Sequence, residues 1–186
     1  MPNRHPDAPA PGRASPATGA RLVPTPAQPL PGLDPDDPRL MQLDHQLCFA
    51  LYSASLAMTR LYKPLLAALS LTYPQYLVML SLWEQDGASV GDLGRRLLLD
   101  SGTLTPLLKR LEAAGLVERR RARDDERRVD IFLTAAGQAL RQRARGVPVA
   151  VAQATGCGLP ELAQLTRRLQ GLRDALDDPA AAQRAP

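Results

Sequence analysis

The sequence predicts a mainly α (α+β) fold in which a winged helix-turn-helix is carried by a helical dimerisation region. Three observations predict it. Apolar stripes of helical period run through the segments beginning at Leu40 and Leu159, two short helical segments are separated only by the residues around Leu98–Asp100, and two arginine-rich strand-like runs follow them. The 186 residues, 45% of them hydrophobic, suit one domain of ordinary core size plus tails. A net charge of +4 and a pI of about 9.5 are compatible with an anionic partner. No run of 18 apolar residues occurs, and the opening MPNRHPDAPAPG lacks the apolar core of a secretory signal, so a cytoplasmic chain without a membrane partner is expected. Cys48 and Cys157 have neither CxxC spacing nor a cysteine-rich framework and should be free thiols in a reducing compartment. His5 and His45 are too scattered to hold a metal, and no cofactor is expected.

Residues 1–38 hold 11 of the 18 prolines and show no helical or strand period, which reads as a disordered arm. From there Leu40, Leu43, Leu47, Leu51, Ala54, Met58, Leu61 and Leu65 recur at steps of three and four, predicting a long helix over about 39–62 that Pro64 disturbs. Thr72-Tyr73-Pro74 opens a second helix, about 74–85, ending near Asp86-Gly87. Ser89 caps a short helix, Val90 to Leu97. Leu98-Leu99 then makes a tight connection, and Asp100-Ser101-Gly102-Thr103 caps another helix that ends at Gly115, with Pro106 near its first turn. Leu116 to Arg123 and Arg128 to Leu133 read as two strands joined through Asp124-Asp125-Glu126. Thr134 caps a helix towards Arg145, Pro148 interrupts or restarts the pattern, and a last helix starts near Pro160. Its stripe is Leu159, Leu162, Leu165, Leu169, Leu172 and Leu176. The expected organisation is thus a domain over 39–178, with 39–72 and 146–178 as dimerisation helices and 74–133 as the winged helix-turn-helix, followed by a disordered tail at 179–186.

Each of these elements has a place on B-DNA. The major groove admits a helix, and the amino-terminal part of a recognition helix meets the base edges. Here that part presents the hydroxyls of Ser101, Thr103 and Thr105, with Lys109 and Arg110 one turn on to neutralise phosphates. Between residues 119 and 128, Arg119, Arg120, Arg121, Arg123, Arg127 and Arg128 stand against three acids, a local balance of +3. An arginine run alone is most often a solvated surface. One that follows a helix-turn-helix fits a wing, with an arginine, here Arg127, entering the narrow minor groove. The two stripes at the ends of the domain would make a homodimer, placing two recognition helices about one DNA turn apart on double-stranded operator DNA.

The segments LDHQLCFALY, MTRLYKPLL, LTYPQYLVMLSLWE, LLLDSGTLTPLLKRLEAAGLVERRR and DDERRVDIFLTAAG, over about residues 41–145, resemble the MarR-type repressors and, among them, the organic hydroperoxide resistance regulators. The long proline-rich arm has no counterpart in that resemblance. Cys48, Tyr52, Ser55, Thr59 and Tyr62 share one helical face beside the leucine stripe. Cys48 and Tyr62 are nevertheless 14 residues apart, about 21 Å along a helix at 1.5 Å per residue. The resemblance implies that Tyr62 reaches Cys48 from the other subunit, across antiparallel helices. It also implies that Tyr52 and Tyr73 join the pocket, with Phe49 and neighbouring leucines as its apolar surround. A thiolate is the nucleophile towards a peroxide oxygen, and hydroxyl donors with a helix amino-terminal field favour that ion. The product is a sulfenic acid, which either loses the tyrosine hydrogen bonds or forms a disulfide with Cys157, so that DNA is released. Apolar walls favour organic hydroperoxides as the inducers.

Two other readings fit the same residues. One is a MarR-type repressor controlled by a small phenolic ligand, with Cys48 merely structural, since cysteine is among the most often buried residues. The other is a thiol peroxidase. The helix-turn-helix, which a peroxidase does not need, and the lack of any recycling apparatus in the sequence speak for a non-enzyme.

Overall fold

The computed structural model of the chain describes residue 34, residues 36–122 and residues 128–177. Most of the expected arm, the hairpin tip with Arg123 and Arg127, and the tail lie outside them. Residues 38–45 form two 3-10 turns, Pro38–Met41 and Leu43–His45, with Gln42 extended between them. Asp37 caps the first turn, its carboxylate accepting from the Arg39 amide at 2.9 Å. The long helix expected from residue 39 therefore starts only at Leu47. The extended backbone at Gln42 interrupts a helical ladder, and the Gln46 side-chain amide instead donates to the Leu40 carbonyl.

Helix α1, Leu47–Ala67, runs through Pro64 instead of ending before it. Pro64 is exposed, and Leu65 and Leu66 beyond it pack on the core, which offsets the hydrogen bond that the proline removes. Helix α2, Tyr73–Glu84, opens with Pro74 in its first turn and with the Thr72 amide donating to Gln75 Oε1 at 2.8 Å. It is the central helix: Tyr76, Val78, Met79, Leu82 and Trp83 are all buried. It ends, as the sequence predicts, before Asp86-Gly87, where Gly87 takes a left-handed φ of 76° and its α-carbon faces the Phe132 ring.

Strand β1, Ala88–Ser89, leads directly into helix α3, Val90–Leu97, and Ser89 both pairs with the sheet and caps the helix through a 3.0 Å bond from the Asp92 amide. Leu98 makes the turn with φ 55°, unusual for a side chain other than glycine. Helix α4, Ser101–Ala113, follows, capped by Asp100 as expected, and Gly115 closes it with φ 68°. Pro106 is the sixth residue of α4, in its second turn, not its first. Strands β2, Val117–Arg121, and β3, Val129–Leu133, pair antiparallel with Val117 opposite Leu133 and Arg121 opposite Val129. The sheet order is β1-β3-β2. The two-residue β1 carries no detectable period and was not expected from sequence.

Helices α5, Ala135–Ala144, α6, Gly146–Thr155, and α7, Leu159–Asp177, complete the chain. Thr134 caps α5 and Pro148 sits in the first turn of α6, where a missing amide costs little. One core joins the end of α1, all of α2, the inner faces of α3, α4 and the sheet, and α5 and α6. Two regions stay outside it. No residue of α7 is buried, and no side chain of α1 between Leu47 and Ala57 is buried. Leu47, Leu51 and Leu56 of α1 and Leu159, Leu165, Leu169 and Leu176 of α7 are exposed.

Candidate functional site

The face that α4 and the hairpin offer is polar and basic. The Asp100 carboxylate accepts from the Thr103 amide at 2.8 Å and from the Thr103 hydroxyl at 2.9 Å, and these bonds hold its carboxyl below the usual range. The Thr103 hydroxyl, expected at the bases, thus spends its proton on the cap and keeps only acceptor capacity outward. Ser101, Lys109 and Arg110 are exposed, and Thr105 is half-buried. Leu104, Leu107, Leu108 and Leu111 fix the other side of α4 in the core.

On the hairpin the arginines differ from one another. Arg121 is exposed at the end of β2. Arg120 lies over the Phe132 ring at 4.7 Å and pairs with Glu118, a position that suits it less to DNA than its neighbours. Arg128 pairs with Asp130 at 3.2 Å. Arg119 is half-buried beside a hollow of about 370 Å³, lined also by Ser89, Val90, Gly91, Arg128 and Val129, and its buried Nε has no hydrogen-bond partner among the described residues. Sequence reading treats these arginines as one patch; the alternation of β2 and the pairing with β3 tell them apart.

The residues expected to sense peroxide divide into two groups. Cys48 is exposed in the first turn of α1, and Tyr52, one turn on, is 61% exposed. Tyr62 lies half-buried at the other end of the helix, where its ring meets Tyr73 at 4.7 Å and Tyr76 at 6.1 Å. Burial, reinforced by Tyr73 and Tyr76, pushes the Tyr62 hydroxyl up to about 12. It therefore stays protonated, a hydrogen-bond donor, throughout the physiological range. The chain brings Tyr62 and Tyr73 together and leaves Cys48 apart from them, as the helix rise requires. Thr59, on the same polar face, gives its hydroxyl to the Ser55 carbonyl at 2.9 Å. Cys157 is a free, half-buried thiol in the short loop before α7, its sulfur 3.6 Å from the Thr155 carbonyl.

The MarR family profile matches residues 71–129, the segment from the entry of α2 to the first residue of β3. Over 136 residues the chain is 46% identical to the organic hydroperoxide resistance transcriptional regulator of Bacillus subtilis, a match spanning 73% of this chain and 92% of that protein. The chain belongs to the MarR family. Another relative, the HTH-type transcriptional regulator TtmR of Methylorubrum extorquens, is 52% identical over 151 residues, 81% of this chain and 76% of its own. Among solved structures, AbfR of Staphylococcus epidermidis superposes with a TM-score of 0.64 at 35% identity, covering 75% of this chain and 96% of that one. Reduced AbfR bound to DNA superposes with a TM-score of 0.58 at 35% identity, over 75% and 98% of the two chains. This MarR-family chain is accordingly a transcriptional regulator, with the winged-helix fold expected of it.

Two features of this regulator escaped sequence reading. Tyr76 and the chain's one tryptophan, Trp83, continue the aromatic group inward, with rings 6.3 Å apart, and Trp83 Nε1 donates to the Gly137 carbonyl at 2.9 Å. Their spacing of seven, two helical turns, was the available signal. The partner at Gly137, 54 residues along the chain, left no trace in the sequence.

Proposed function

We propose that this chain is a cytoplasmic, peroxide-sensing repressor that binds operator DNA as a homodimer and releases it when organic hydroperoxides oxidise Cys48. The observation that carries the reading is the setting of Cys48: an exposed thiol in the first turn of α1, on a stretch with no buried side chain, in a chain 46% identical to an organic hydroperoxide regulator. A purely structural cysteine would be packed in the core, so the ligand-controlled alternative has less support. The exposed leucines of α1 and α7 supply the apolar area a two-fold interface needs. In that dimer Tyr62 and Tyr73 of one protomer face Cys48 of its partner, with Tyr52 beside it.

In the sensing step the Cys48 thiolate attacks one peroxide oxygen. The S–O bond forms as the O–O bond breaks, the leaving alkoxide takes a proton and departs as the alcohol, and sulfur gives up the two electrons that the peroxide gains. The Cys157 thiol then attacks the sulfenic sulfur, expelling water and leaving a disulfide. On DNA, Ser101, Thr103 and Thr105 meet the bases and Lys109, Arg110, Arg119, Arg121, Arg123 and Arg128 hold phosphates, with Arg127 the arginine nominated for the minor groove. The test is a mobility shift on a duplex selected by the wild-type protein from a random pool, with and without cumene hydroperoxide. Wild type should release the duplex, Cys48→Ser should hold it, and Cys157→Ser should release it but stop at the sulfenic or a more oxidised state, read by mass. Normal release by Cys48→Ser would end the redox reading.

A further inference from the structure

We propose that Trp83 is a positioning residue that ties the phenol site to the seat of the recognition helix. The inference rests on the sensing role assigned above to Tyr62. From Tyr62 the aromatic rings run inward through Tyr76 to Trp83, at 6.1 and 6.3 Å, the last two being buried. The indole N–H of Trp83 then donates to the Gly137 carbonyl in the first turn of α5 at 2.9 Å. The Gly137 amide donates to the Thr134 hydroxyl at 3.0 Å, and that hydroxyl donates to the Gly115 carbonyl at 2.6 Å. Gly115 is the left-handed residue that closes α4, and the Thr134 amide bonds to the next carbonyl, Leu116, at 3.1 Å.

The seam between α5 and the exit of α4 is as close as two backbones come. A β-carbon at Gly137 would fall 2.0 Å from the Leu116 carbonyl oxygen, so only glycine fits there. Each step from Tyr62 to Gly115 is a ring contact or a hydrogen bond, buried from Tyr76 through Trp83 to Gly137 and reaching the surface at Thr134 and Gly115. A shift of Tyr62 on oxidation of Cys48 is not absorbed in α2; it is delivered through the indole to α5 and thence to the carboxyl end of the recognition helix. Among the described residues the indole N–H is the one hydrogen bond from α2 to this seam, which distinguishes Trp83 from a residue that merely fills the core.

Because Trp83 is the chain's one tryptophan, its fluorescence reports on this link in the unmodified protein. Treatment with cumene hydroperoxide should change the emission of wild type and leave that of Cys48→Ser unchanged. Trp83→Phe, which keeps an aromatic ring but loses the N–H, should bind the selected duplex in its reduced form within about threefold of wild type. Its ratio of oxidised to reduced Kd should fall by about tenfold or more, a coupling of ordinary allosteric size. If wild type releases DNA on oxidation without any change in tryptophan emission, or if Trp83→Phe folds and keeps the full ratio, the inference is overturned while the sensing role stands. Wild type that neither releases DNA nor changes its emission would overturn both.

Discussion

At the scale of single residues, Tyr62 shows how position decides chemistry. Tyr52 stands exposed on α1, whereas Tyr62 is half-buried against two other rings, and burial pushes its hydroxyl up to about 12. Since an unfolded tyrosine titrates near 10, the folded chain holds this proton more tightly. The stability it contributes is whole below pH 10 and is lost as pH rises from about 10 to about 12. Urea unfolding across that window should show a decline in wild type that is shallower in Tyr62→Phe; equal slopes would mean that Tyr62 titrates normally. The face shared by Cys48, Tyr52 and Tyr62 was legible from spacing alone. That Tyr62 sits among Tyr73 and Tyr76 was not, because α1 and α2 meet only through the tertiary fold.

At the scale of elements, the caps were the most readable signals, since a side-chain oxygen bonding an amide two or three residues on is a local event. Ser89, Asp100 and Thr134 each cap the helix the sequence assigns to them. Thr134 does more, because its hydroxyl also donates to the end of α4. Thr134→Ala should therefore cost about 1–2 kcal/mol in urea unfolding, at the upper end for a cap, while Thr134→Ser keeps most of it. A loss below about 0.5 kcal/mol would show that the bond to Gly115 counts for little. The errors at this scale have physical causes. Pro64 and Pro106 lie inside helices because leucines beyond each proline are anchored in the core, a term that local propensity does not contain.

At the scale of the whole molecule, the leftover apolar surface is the dominant feature. Helix α7 has a leucine stripe and buries none of it, and the first half of α1 is equally unburied. Such area is costly in water unless a second copy covers it. The double substitution Leu165→Glu with Leu169→Glu should turn the proposed dimer into a monomer in sedimentation velocity while the far-ultraviolet helix signal persists. Affinity for a two-half-site duplex should drop about 100-fold or more, because the second recognition helix is no longer tethered to the first. A dimer that survives these charges would place the interface elsewhere. The basic face of α4 and the hairpin, by contrast, was legible in outline from the helix-turn-helix and the arginine run, but not in its detail. Strand alternation and pairing separate the stacked Arg120 from the exposed Arg121 and from Arg119, whose Nε has no partner among the described residues.

The order of helices, their caps, the basic hairpin and the thiol's helical face follow from interactions within a few residues, and period and side-chain chemistry alone dictate them. Which phenols gather, how Arg120 comes to lie over Phe132, and how Trp83 reaches Gly137 depend on contacts between segments far apart in the chain, from about a dozen to more than fifty residues. Those contacts are set by packing, which no local pattern encodes, and so only the folded chain decided them.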